Sequence, residues 1–186
     1  MIGKTALLLG IALLVLAGGA RAAEPSPYAG WQERAIKALS PQQVEDYLEG
    51  RGMGMALAAE LNGYPGPRHV LELAGELDLS PDQLAQTERL FEDMRDRAIA
   101  LGRRIVAREA ALDELFASGI ASEAALRDAT EELGLLSGRL RAHHLGYHLA
   151  MRDLLEPDQI ERYQRLRGYG PSTASGGHGH GHGARP

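Results

Sequence analysis

Two long stretches of this chain repeat apolar residues at the period of an α-helix. From Pro81 to about Ala117 the stripe runs Leu84, Thr87, Phe91, Met94, Ala98, Leu101, Ile105, Leu112 and Leu115, in alternating steps of three and four broken only at Arg108. From Ser122 to about Leu155 it runs Leu126, Ala129, Leu133, Leu136, Leu140, His143, Tyr147, Ala150 and Leu154. Side chains three and four apart share one helix face, so each stretch predicts an amphipathic helix whose stripe resembles a coiled-coil seam. The short turn at Ser118-Gly119 between them predicts an antiparallel hairpin.

Shorter helices are expected over Tyr28–Leu39, Pro41–Glu49, Met55–Leu61, Arg68–Leu77 and Pro157–Arg167. Gly50-Arg51-Gly52-Met53-Gly54 and Asn62-Gly63-Tyr64-Pro65-Gly66-Pro67 separate them. β-Branched residues are sparse and no period-two alternation persists, so the fold class is all-α.

Three copies of one phrase punctuate these helices: Leu39-Ser40-Pro41-Gln42-Gln43, Leu79-Ser80-Pro81-Asp82-Gln83 and Leu155-Glu156-Pro157-Asp158-Gln159. Ser40 and Ser80 are good N-caps, and Pro at the next position has its φ preset and no N–H to leave unpaired. Gln43 and Gln83 stand three residues past the cap, where a capping box places its reciprocating side chain. Glu156 is a poorer cap, so the third box is expected to be weaker.

The leader points to export. Lys4 precedes an almost wholly apolar run, Thr5 to Gly19, and Ala20-Arg21-Ala22 offers small residues for cleavage. This is the order of a secretory signal peptide, residues 1–22, and the run is shorter than the roughly 20 residues that span a bilayer. An uncleaved membrane anchor is the alternative. The remaining chain divides into a short-helix region (23–67), the hairpin with its flanking helices (68–168) and a Gly/His-rich tail (169–186). It carries 18 basic residues against 25 acidic ones, which argues against nucleic-acid binding. Cysteine is absent, so neither disulfides nor thiolate chemistry is in play.

On these features the chain resembles the LTxxQ-motif periplasmic proteins, the group of the Spy and CpxP chaperones and the metal-linked ZraP and CnrX. The likeness covers roughly Leu79 to Gly168, with Leu79, Gln83, Leu155 and Gln159 on the motif positions; Ser80 and Glu156 stand where the family usually has Thr. The resemblance implies a cradle-like homodimer in the bacterial periplasm. It also implies ATP-independent binding of unfolded proteins, damping of envelope-stress signalling, or heavy-metal sensing.

Candidate chemistry follows two lines. His178, His180 and His182, spaced by glycine, can wrap around Ni, Cu or Zn ions. His144 and His148, four apart, share a helix face, and Met151 adds a thioether; Glu60, His69 and Glu72 are conceivable partners. The alternative puts His143 on the apolar stripe and leaves His144 and His148 half-exposed. Met53 and Met55 read either as a Cu(I)-type pair or as core filling, and Tyr28 to Trp31 as a packing anchor or a client-contacting patch.

The second line is the arginines. Arg89, Arg97, Arg103, Arg104 and Arg108 crowd the first long helix and Arg141 stands on the second, a candidate surface for acidic, partly unfolded clients. The alternative is a face neutralised by interleaved carboxylates at i, i+4. No phosphate loop, HExxH or Ser/His/Asp ordering indicates an enzyme. Two readings follow: a periplasmic metal-binding accessory or sensor of the heavy-metal or envelope-stress response, working with a membrane-bound signalling protein, or a holdase for unfolded periplasmic proteins whose histidine tail is incidental.

Overall fold

The computed structural model describes residues 26–169; the leader and the histidine tail lie outside them. Every regular element among the described residues is helical: α1 (Pro41–Leu48), α2 (Leu57–Glu60), α3 (Pro67–Glu72), α4 (Pro81–Ala117), α5 (Glu123–Leu154) and α6 (Pro157–Leu166). None is long and apolar enough to cross a membrane.

The starts of α1 and α4 follow from their caps. Ser40 Oγ accepts from Gln43 N–H at 3.1 Å while Gln43 Oε1 accepts from Ser40 N–H at 2.9 Å. Ser80 and Gln83 repeat the exchange at 3.2 and 3.1 Å. At α6 Gln159 Oε1 accepts from Glu156 N–H at 2.9 Å. Each box satisfies amide groups that would otherwise be left open at a helix start.

α4 and α5 run side by side in opposite directions. Met94 meets His143, Arg108 meets Glu132, and Gln83 reaches the carbonyl of Leu154. Ala98, Ile105, Leu133, Leu136 and Leu140 form the core between them. Leu136 and Ile105, at 0% and 1% exposure, are each stabilised by roughly 1.5–3 kcal/mol of burial. A second core gathers Val70, Leu77, Met151, Leu155 and Tyr163 where α3 and α6 close the base of the pair. α1 crosses α4 at Gly102, where an added Cβ would lie 2.0 Å from the carbonyl oxygen of Tyr47.

Three expectations need correction. On α5 the buried residues are Leu133, Leu136, Leu140, His144, His148 and Met151, with Leu155 following. A strict three-four alternation holds only to Leu140; from there the steps are four, four, three and four. A straight helix turns at 3.6 residues rather than 3.5, so its buried line drifts off a heptad. His143, Tyr147 and Ala150 consequently move to the flank, while His144, His148 and Met151 turn inward.

Tyr28–Leu39 is not an α-helix. Only Trp31–Glu33 form a turn of 3₁₀-helix, entered through Gly30 at φ 89°. Ile36 and Leu39 are its buried residues, and two contacts do not offset the cost of nucleating an isolated helix. Finally, α2 and α3 are shorter than expected. The chain leaves α3 at Leu73 and turns through Asp78, at φ 50°, into the Ser80 cap.

Candidate functional site

The phrase that marks the helix starts also ties two of them together. Gln83 Nε2 donates to Gln159 Oε1 at 2.8 Å, and Gln159 Nε2 donates back to Gln83 Oε1 at 3.0 Å. The second proton of each amide goes to a backbone carbonyl, that of Leu154 from Gln83 and that of Leu77 from Gln159, at 3.1 and 3.2 Å. Each oxygen already holds its own N-cap amide. Every polar atom of the pair is therefore used, and Leu79 and Leu155 pack around it in the same core as Tyr163. Gln43, which has no such partner, caps only its own helix.

About two turns of α5 closer to the tip, the polar groups are arranged differently. Glu60, at the end of α2, is 5% exposed. Its Oε1 accepts from the Tyr163 hydroxyl and lies 3.4 Å from His69 Nδ1 and 3.7 Å from Arg167 Nε. Its Oε2 sits 3.6 Å from His148 Nδ1 and has no hydrogen-bond partner. His148 Nδ1 instead donates to the carbonyl of Tyr64 at 2.7 Å.

His144, one turn away on α5, is 3% exposed and its Nε2 is also unpartnered. Burial, then the neighbouring His143 and His148, push its pKa down to about 4, so it is a neutral imidazole at neutral pH. Although burial opposes it, the hydrogen bonds from His69 and Tyr163 hold the Glu60 carboxyl below its ordinary value. The Tyr163 hydroxyl is correspondingly pushed far up, by burial first and by Glu60 second.

Glu60, His144 and His148 line an open cleft of about 880 Å³ between the α1–α3 segment and the two long helices. Leu48, Met53, Leu57, Phe91, Met94 and Ile99 supply its apolar walls. Gly66 is required here: a Cβ would lie 2.8 Å from His148 Cε1.

The other expected ligands scatter. Met151 is fully buried in the core with Val70 and Tyr163, so its thioether is spent on packing. Glu72 pairs with Arg68 at 3.0 Å. Met53 lines the cleft, whereas Met55 packs against the Ile105–Leu136 core. His143, expected on the stripe, donates from Nε2 to the carbonyl of Met94 at 2.9 Å and stacks edge-on against Tyr147. Among the described residues no three His, Asp or Glu side chains converge to hold a metal ion, so the residues present do not fit a preformed three-ligand centre. His178, His180 and His182 lie outside the described residues. Tyr163 and Arg167, which complete the Glu60 cluster, carry no signal in the sequence, since Tyr163 is 103 positions from Glu60.

The arginines divide along α4. Arg97 pairs with Asp93 at 3.0 Å, and Arg104 and Arg108 share Glu132 at 3.9 and 2.9 Å. Arg89, Arg103 and Arg141 are exposed and make no ion pair among the described residues. Glu88, Glu92, Asp93 and Asp96 all fall in the proximal half. The distal half has Arg103, Arg104 and Arg108 with Glu109, Asp113 and Glu114, and exposed Ala100, Ala107, Ala110 and Ala111 between them; Asp113 pairs with Lys37 at 3.1 Å. Phe116 and Ile120, 58% and 71% exposed, finish that end.

Comparison with family models, with curated proteins and with solved structures returns no match.

Proposed function

We propose that the protein is an exported, ATP-independent holdase that captures acidic, partly unfolded clients on the distal half of the α4–α5 pair. The observation that carries this reading is the exposed Phe116 and Ile120 on the same half of the pair as Arg103, which makes no ion pair among the described residues, and as Arg104 and Arg108, which share the single Glu132. Charge attracts an acidic chain at long range and apolar contact retains it. The residues named Leu79, Gln83, Leu155 and Gln159 act as the frame, not the contact surface.

The cradle-like homodimer belongs to the same proposal. The outward face of α5 carries Gly134, Leu135, Gly138, Ala142, Gly146, Leu149 and Ala150. Leu135 and Leu149 are 52% and 57% exposed, and nothing lies within 4 Å of a Cβ added at Gly134, Gly138 or Gly146. About Ala142, Leu135 mirrors Leu149 and Gly138 mirrors Gly146, while Gly134 stands opposite Ala150. In an antiparallel two-fold contact centred on Ala142, Leu135 would meet the second copy's Leu149 and Gly138 its Gly146, since residue i meets j while j meets i.

The test is aggregation of an acidic, unfolded client with the leader-free protein and no nucleotide. Suppression near equimolar ratio is expected, weakened by salt and largely lost when Arg103, Arg104 and Arg108 are replaced by Ser. Undiminished protection by that variant overturns the assignment of the surface. Sedimentation of Ala142→Glu tests the dimer, since two carboxylates would meet on the axis; a wild-type monomer at micromolar concentration removes it.

A metal-binding accessory role is the second reading, favoured by His178, His180 and His182. It predicts saturable Ni, Cu or Zn binding that disappears in a chain ending at Gly170.

A further inference from the structure

The cleft between the α1–α3 segment and the long helices is not used by the client surface. Its floor holds Glu60, His144 and His148, and its walls mix apolar side chains with the charged Asp46, Glu49, Arg51, Arg68 and Arg95. Glu60 Oε2 and His144 Nε2 are buried and unpartnered. His148 donates from Nδ1 to the carbonyl of Tyr64, which leaves Nε2 as the nitrogen that can carry a lone pair toward a ligand. Leaving buried acceptors unsatisfied costs stability, so such atoms in a native fold call for a partner. Of the cations nearby, Arg167 and His69 face the other oxygen of Glu60, Arg68 is paired with Glu72 and Arg51 with Asp46 and Glu49, while Arg95 lines the cleft and makes no ion pair among the described residues.

From this geometry we infer that the cleft binds a hydrophobic primary amine, its ammonium on Glu60, His144 and His148 and its hydrocarbon body against Met53, Leu57 and Phe91. An ammonium brings one positive charge to the carboxylate and three N–H donors to share between its free oxygen and the imidazole lone pairs beside it. An ammonium also asks less of the spacing than a metal does. Hydrogen bonds of about 2.7–3.2 Å tolerate a wider ring of acceptors than coordination bonds of about 2.0–2.3 Å, and the described residues bring no three such ligands together tightly enough to hold a metal ion. A carboxylate head would meet Glu60 with like charge. The volume suits a small ligand, within the roughly 300–1,000 Å³ usual for such sites. Gly50, Met53 and Gly54, all at positive φ, belong to the lining of the cleft.

The experiment is calorimetric titration of the leader-free protein with hexylamine, hexanol and hexanoate, which share a chain and differ in the head. Hexylamine is expected to saturate at one per chain, with hexanol and hexanoate at least about tenfold weaker, a gap of about 1.4 kcal/mol. Glu60→Gln should erase the preference of amine over alcohol. In case that variant does not fold, Leu57→Ala lies at the mouth, outside the buried cluster, and should weaken hexylamine several-fold while leaving its preference over hexanol intact. Equal affinity for hexanol and hexylamine, a preference for hexanoate, Zn²⁺ bound by the described residues in place of the amine, or no saturable amine binding by the folded protein overturns the inference.

Discussion

The glutamine pair and the histidine–glutamate cleft are both buried polar clusters fastening the same helices, yet they are opposites in accounting for their atoms. Gln83 and Gln159 satisfy every donor and acceptor they own, partly through each other and partly through the backbone at Leu77 and Leu154. Glu60 and His144 leave an acceptor each without a partner. A satisfied network stabilises and specifies the fold; an unsatisfied one costs stability and is retained for what it can receive. That contrast separates the frame of this protein from its site, and substitutions can test it directly.

The largest effect is expected at the frame. Gln83→Leu removes both bonds that Gln159 makes to Gln83 and leaves the Leu154 carbonyl and the Ser80 amide without their side-chain partner, a loss of about 3–4 kcal/mol by denaturant unfolding. Gln159→Leu should cost a similar amount. The double variant should cost clearly less than the two together, since removing one partner already orphans the other. Strict additivity would mean that the two amides do not act as a unit.

Acid should act on the cleft and spare the frame. His144 has a folded pKa near 4 against an ordinary value of 6.5, so between those pH values the unfolded chain binds the proton and the folded chain does not. Stability therefore falls as pH drops from 6.5 toward 4, on the order of 3 kcal/mol in all. Glu60, whose pKa is lowered, adds a loss that begins below its ordinary 4.5. The glutamine pair has no titratable group and contributes nothing to this slope. Stability independent of pH over that window would contradict the buried placement of His144.

What the sequence made legible follows the same division. The frame is written in local grammar: three Ser/Glu-Pro-x-Gln phrases set the starts of α1, α4 and α6, and long apolar stripes set α4 and α5. The exchange of hydrogen bonds between Gln83 and Gln159 was hidden, because a capping box reads the same whether or not its glutamine also reaches another helix. The cleft is written in distant pairs. Glu60 meets Tyr163 and His148 only after α2, α5 and α6 have docked, and no spacing rule announces that. Even the inward turn of His144 was missed, since a heptad extended past Leu140 selects His143 in its place. The register depended on a drift of a tenth of a residue per turn, too small for periodicity to resolve and large enough to change which imidazole is buried.

The smallest expected effect is the sharpest test of the comparison. His144→Leu removes a buried ring whose Nε2 has no partner, so little hydrogen bonding is lost, and the leucine packs beside Leu140 and Met94. At neutral pH its stability should stay within about 1 kcal/mol of the parent, in contrast to either glutamine variant. The pH slope between 6.5 and 4 should flatten at the same time, because the proton acceptor responsible for it is gone. A loss as large as that of Gln83→Leu would show that His144 has a partner in the folded protein and belongs to the frame. Near-neutral stability with a flattened slope would place it in the site, where an unsatisfied atom is tolerated for binding.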